Sequence, residues 1–200
     1  SSKDVGNGSI AFMAETIMQL MKELDIMEAD WVGHSMGGAI SLQLAKSHPE
    51  MVRSLTLIGS AGLGEEINGD YLWGFAQSQS RRELKPFVQQ LFKDSSLVTR
   101  QLVDDLLKFK RIDGVQACLE KIIGCFLDGA NQVLDLRNVL EEQDIPCLVI
   151  WGREDKILPA DHTINLPKQV QVNIFDDAGH MVQMESASEV NRLMIEFWKY

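Results

Sequence analysis

Apolar residues in this chain fall into two kinds of run, one at helical spacing and one in short unbroken blocks. Ile10, Met13, Ile17, Leu20, Met21 and Leu24 recur at the spacing of one helix face, and Ser9 just before them has a helix-capping side chain. Asp25 to Glu28 reads as a turn, and Ala29 to Val32 as the first short strand. A second helix is predicted over Ala39 to Lys46, ending near Ser47-His48 where Pro49 stops it. Three more blocks read as strands: Ser54 to Ser60 (SLTLIGS), Pro146 to Trp151 (PCLVIW) and Val170 to Phe175 (VQVNIF). The run Ser54 to Ser60 suits a strand buried on both faces, as in parallel sheets. An amphipathic helix over Ser188 to Lys199 closes the pattern.

Between the second and third strands the texture changes. From Glu65 to about Glu142 the pattern predicts no strand. Helices are expected instead over Tyr71 to Gln79, Arg81 to Phe92, Leu97 to Lys108, Val115 to Leu127 and Gln132 to Glu141. Ser80 is placed to cap the second of these, and Pro86 to bend it. The expected architecture is α/β: a mostly parallel sheet of about four strands, with residues 1–64 and 143–200 as its core and residues 65–142 as a helical cap.

In such sheets ligands gather at the carboxyl ends of the strands. Three polar turns sit there. Gly33-His34-Ser35-Met36-Gly37-Gly38 is a G-x-S-x-G turn between a strand and a helix, the pattern that lifts a serine hydroxyl clear of a sheet. Gly33 and Gly37 are expected where strand and helix backbones nearly touch, and Gly38 where the helix packs on the sheet. Gly152-Arg153-Glu154-Asp155 follows the third strand, and Asp176-Asp177-Ala178-Gly179-His180 the fourth. A serine hydroxyl needs a base, and the base needs an orienting acid. Ser35, Asp155 and His180 stand in the chain order Ser, Asp, His that this architecture uses. Ser35 is the candidate nucleophile, His180 the base and Asp155 the acid, with the backbone N–H of Met36 donating to the oxyanion. His34, His48 and His162 compete for the role of base, and Asp161 and Asp177 for that of acid.

Composition narrows the class. The chain has 200 residues, 45% hydrophobic and 24% charged, with a net charge of −10. An acidic chain suits neither nucleic acid nor an anionic membrane as partner. Cys118, Cys125 and Cys147 lack metal-like spacing and sit among apolar neighbours, so buried reduced thiols, no metal and a cytoplasmic location are expected. Arg81-Arg82 suits either an anionic group or a solvated helix start.

GHSMGG at the serine, LVIWGREDKILP around Asp155 and DDAGHMVQME around His180 resemble the motifs of α/β-hydrolase-fold proteins. The stretches SAGLGEEINGDYLWGF, SRRELKPFVQQLF and VDDLLKFKRIDGV further resemble the cap of acetoin dehydrogenase complex dihydrolipoamide acetyltransferase (E2) components. That resemblance implies acetyl transfer between a dihydrolipoyl group and coenzyme A, with a small-molecule acyl substrate and the other subunits of a 2-oxo-acid-dehydrogenase-like complex as partners. Serine hydrolases of ester, thioester or carbon–carbon bonds are the alternative. The resemblance also implies a lipoyl domain and further strands before the elbow strand, with a second oxyanion donor in a loop among them. Without these, Ala29 to Val32 is expected at a sheet edge, and the chain to be weakly active or an inactive fragment.

Overall fold

A computed structural model describes residues 4–199. The first helix, α1 (Ile10–Glu23), starts as its pattern requires, with Ser9 Oγ accepting the Phe12 N–H at 3.2 Å. Strand β1 (Ala29–His34) leads through Ser35 into α2 (Met36–Ser47), and β2 follows over Val52–Ile58. Four helices come next: α3 (Gly69–Gln77), α4 (Arg81–Gln90), α5 (Arg100–Lys110) and α6 (Val115–Phe126). A two-stranded hairpin, β3 (Leu127–Asp128) with β4 (Asn131–Gln132), precedes the short α7 (Val139–Glu142). Then come β5 (Cys147–Gly152), β6 (Gln171–Phe175), α8 (Val182–Glu185) and α9 (Ala187–Phe197).

The main sheet has the order β1-β2-β5-β6, and all three pairings are parallel. Alternation along the strands sends side chains to opposite faces. Leu55, Leu57, Val149 and Trp151 join a core with α1 and α2, whereas Ile58, Leu148 and Ile150 pack with Val190 and Phe197 of α9. A third cluster, including Leu84, Val88, Val103 and Leu107, joins α4 to α5. Strand β1 is an edge: among the described residues β2 is its one strand partner, and Val32 is half-exposed. Among the described residues no helix is long and apolar enough to cross a membrane.

Several expectations are corrected. Gln132 to Glu141 is not one helix. Gln132 instead donates its N–H to Glu65 O and accepts the Gly62 N–H on Oε1, both tertiary contacts. Arg137 then spreads its guanidinium over the carbonyls of Leu63, His162 and Ile164, which fixes the loop before α7. Residues 65–142 therefore hold two short strands where none was expected. Of the cysteines only Cys147 is buried, in β5, where burial pushes its thiol up to about 12; Cys118 is half-buried and Cys125 exposed on α6. Ser80 does cap α4, in a reciprocal capping box with Glu83, and Pro86 is carried inside the helix.

The elbow glycines are not equivalent. A Cβ on Gly33 would fall 2.6 Å from Gly38 Cα, and one on Gly38 2.7 Å from Ser60 Cβ. Gly33 does lie against the Gly37 backbone, where its added Cβ would fall 2.6 Å from Gly37 C, but a Cβ on Gly37 would meet nothing within 4 Å, so the clash expected at Gly37 itself is absent. Gly33→Ala and Gly38→Ala are each expected to destabilise the fold by about 1–3 kcal/mol through overpacking. Gly37→Ala, at an uncrowded helical position, should be neutral or slightly stabilising. Urea unfolding of the three variants checks this ordering; equal losses at all three positions would contradict it.

Candidate active site

Ser35 is held where β1 turns into α2. Its backbone has φ 54 and ψ −121, a conformation unfavourable for a residue with a side chain. Three hydrogen bonds hold it: Ser35 N–H donates to Ile58 O at 3.0 Å, and Ser35 O accepts the N–H groups of Gly38 and Ala61, each at 3.0 Å. The elbow is thus tied to the carboxyl end of β2. Met36 is the first residue of α2, and a helix's first N–H groups lack intrahelical acceptors. Its N–H is therefore available beside Ser35, at the electropositive end of the helix.

The second and third candidates meet through the ends of β5 and β6. Arg153 N–H donates to Phe175 O at 2.9 Å and Glu154 N–H to Ala178 O at 3.0 Å, extending the contact of these strands into their loops. Asp155 Oδ1 accepts the N–H groups of Ile157 (2.8 Å) and Leu158 (3.0 Å), which fixes the carboxylate. Its other oxygen, Oδ2, lies 2.7 Å from His180 Nδ1, and both side chains are buried. With Nδ1–H donating to the carboxylate, Nε2 is left with a free lone pair. Gly59, at φ +46, passes beside this pair; a Cβ there would stand 3.3 Å from both bonded atoms.

Ser35, Met36 and His180 line one cavity of about 300 Å³ between the strand ends and helices α3 and α6. Among the described residues no hydrogen bond joins Ser35 Oγ to the imidazole. Catalytic hydrogen bonds are often long before substrate binds. The structure thus brings Ser35, Met36, Asp155 and His180 to one end of the sheet.

The competing residues go elsewhere. Asp161 and Asp177 are exposed, and Asp177 is bound to Lys93 Nζ at 2.6 Å. His48 caps the end of α2, 3.0 Å from Glu15. His162 is buried with its ring against Trp151. Arg81 is taken by Asp104 at 2.6 Å, so it marks a paired helix start. Among the described residues no group of three or more His, Cys, Asp or Glu is placed to hold a metal ion.

Two supports are not legible as such in the sequence, which offers His34 only as a competing base. His34 Nε2 lies 2.9 Å from the backbone carbonyl of His180, and the two rings are 4.7 Å apart. A carbonyl only accepts, so His34 carries its proton on Nε2. Glu185 gathers three backbone N–H groups, of Gly179 (2.7 Å), Lys93 (2.8 Å) and Asp94 (3.2 Å). It joins the His180 loop to the segment after α4. Its place five residues beyond His180 in DDAGHMVQME was the available signal.

Burial, then the adjacent His180, lowers the pKa of His34 from 6.5 to about 4. The unfolded ring therefore takes up a proton near pH 6.5 and the folded one only near pH 4. The neutral ring's contribution is full above pH 6.5 and is lost as pH falls towards 4, by up to about 3 kcal/mol. His34→Gln keeps a donor but removes the titration. Its unfolding free energy should fall less between pH 7 and 4.5 than that of the parent; equal falls would contradict the buried neutral ring.

Comparison with known proteins identifies the family. Residues 1–187 match the model of the alpha/beta hydrolase fold family. The chain is 48% identical over 197 residues to the dihydrolipoyllysine-residue acetyltransferase component of the acetoin cleaving system of Pseudomonas putida, covering 98% of this chain and 52% of that protein. It therefore spans about half the length of that relative. It is 30% identical to the 2-hydroxy-6-oxo-6-phenylhexa-2,4-dienoate hydrolase of Comamonas testosteroni, covering 92% of this chain and 67% of that protein. The solved meta-cleavage product hydrolase of Pseudomonas fluorescens IP01 superposes with a TM-score of 0.84 at 25% identity, over 96% of this chain and 72% of its own. The chain belongs to the alpha/beta hydrolase fold family.

Proposed function

We propose that the site transfers an acyl group through Ser35, with His180 as base and Asp155 as its orienting acid. The buried Asp155–His180 hydrogen bond of 2.7 Å, opening on the same cavity as the constrained Ser35, carries this reading. Ser35 Oγ attacks the acyl carbon while its proton passes to His180 Nε2. The carbonyl oxygen becomes an oxyanion and accepts the Met36 N–H. The bond to the leaving group then breaks, the leaving atom takes the proton from His180, and the acyl group remains on Ser35. An acceptor thiol next gives its proton to His180 as its sulfur attacks the acyl carbon. Ser35 leaves with that proton, and the acceptor departs acylated.

In the whole protein the acyl group is acetyl, moved between a dihydrolipoyl thiol and coenzyme A. The likeness to the acetoin-cleaving component supports this choice, as well as a place beside the other subunits of such a system. Residues 65–142 act as a cap over the sheet core of residues 1–64 and 143–200. Closure of that cap has a chemical purpose, because water attacks an acyl-serine by the same route as a thiol. Hydrolysis is the second reading, favoured by the likeness to the dienoate hydrolase. A dienoate carries a carboxylate, however, and no Lys or Arg is among the described residues lining the cavity. A charge there would be left unpaired.

A fluorophosphonate probe should add one phosphonyl group to the chain at Ser35, seen by mass spectrometry, and none to Ser35→Ala. Asp155→Asn should slow ester turnover by about 10⁴-fold through the wrong imidazole tautomer. With acetyl-dihydrolipoamide as donor, acetyl-coenzyme A should form. Acetate release indifferent to coenzyme A would exclude transfer and leave hydrolysis.

A further inference from the structure

The cavity beside Ser35 is larger and more uniform than an acetyl group requires. At about 30 Å³ per water-sized group, its volume of about 300 Å³ holds about ten such groups, and an acetyl group fills about three. Apart from Ser35, His34 and His180 at one end, its side chains are hydrocarbon or thioether, with one exception. Leu119, Ile122, Ile123 and Phe126 of α6 form one wall, and Leu72 and Phe75 of α3 face it. The exception is Tyr71. Its N–H is taken by Asn68 Oδ1 at 2.8 Å, but its hydroxyl has no hydrogen-bond partner among the described residues. Burial raises the phenol well above its ordinary value of 10, so the group stays a neutral donor. A hydroxyl without a protein partner, on a residue that lines the cavity, is free to hydrogen-bond a ligand placed there.

We propose that this cavity takes an uncharged chain of about six to eight carbons, attached to the reacting carbonyl or its carrier, with one acceptor atom hydrogen-bonded to Tyr71 Oη. This rests on the reading that the reacting carbonyl sits at Ser35. It adds that the chain beyond that carbonyl is held by hydrocarbon contact and by a single directed bond. A carboxylate on the chain would enter without a cationic partner and is excluded on that ground.

The test is binding in the Ser35→Ala background, read by ligand-observed NMR titration. Methyl hexanoate should bind about 100-fold more tightly than methyl acetate through its additional buried methylenes. Monomethyl adipate, which carries a carboxylate at the far end of the same chain length, should bind at least about 30-fold more weakly than methyl hexanoate. Among the 3-, 4- and 5-oxo derivatives of methyl hexanoate, one should retain affinity. Tyr71→Phe should weaken that isomer by about 3- to 10-fold and leave methyl hexanoate unchanged. Lipoamide tests the carrier source: affinity matching methyl hexanoate places a carrier arm in the cavity, and no binding assigns the cavity to the acyl chain. Equal affinity for methyl acetate and methyl hexanoate, or for the adipate, would overturn the proposal. So would a Tyr71→Phe variant indifferent to all three oxo isomers. Every arm lacks the serine hydroxyl, so absence of probe labelling at Ser35 would overturn the acyl-serine reading without touching this result.

Discussion

A serine at φ 54 and ψ −121 must be held there by its surroundings. Such a backbone costs on the order of 1–3 kcal/mol and persists only where neighbouring structure over-determines it. The determination comes from both sides of the turn. Ser35 N–H and Ser35 O are bonded to residues at and beyond the end of β2, and Gly33 and Gly38 let β1, α2 and Ser60 approach closely enough for those bonds to form. The edge position of β1 therefore matters to the chemistry, because the strand carrying the strained turn is paired on one side among the described residues.

His180, the proposed base, is fixed by a different part of the chain, through the loops after β5 and β6. Asp155 spends one oxygen on its own loop and the other on His180. His180 in turn holds His34, the neighbour of Ser35, through its carbonyl. The elbow and the base loop are thus joined by a hydrogen bond that does not involve the reacting atoms. The helical layer is joined as well, since Met181 N–H donates to Leu91 O at 3.0 Å and Glu185 collects N–H groups from both segments.

The sheet could be read from sequence because β2 and β5 are near-continuous apolar runs and the shorter, mixed β1 and β6 each lead into a polar turn, which also marks the turns that carry Ser35 and His180. What escaped was set by contacts distant in sequence. Gln132 and Arg137 look like helix residues by spacing, yet their side chains and backbone are claimed by Gly62, Glu65, Leu63 and His162, and the helix gives way to a hairpin and loop. Gly37 matches the motif as well as Gly33 does, but whether a Cβ has room depends on what packs outside the turn. Tyr71 is one aromatic among many in the helical segment. Only the folded arrangement separates Tyr71, which lines the cavity, from rings that fill the core.

The central claim is that Ser35 and His180 act as one unit rather than as two independent contributors. The direct measurement is ester turnover by Ser35→Ala, His180→Ala and the double variant under one set of conditions. In a cooperating pair either loss removes the whole mechanism, so the double variant should be no slower than the slower single variant. Losses that multiply in the double variant would contradict the account.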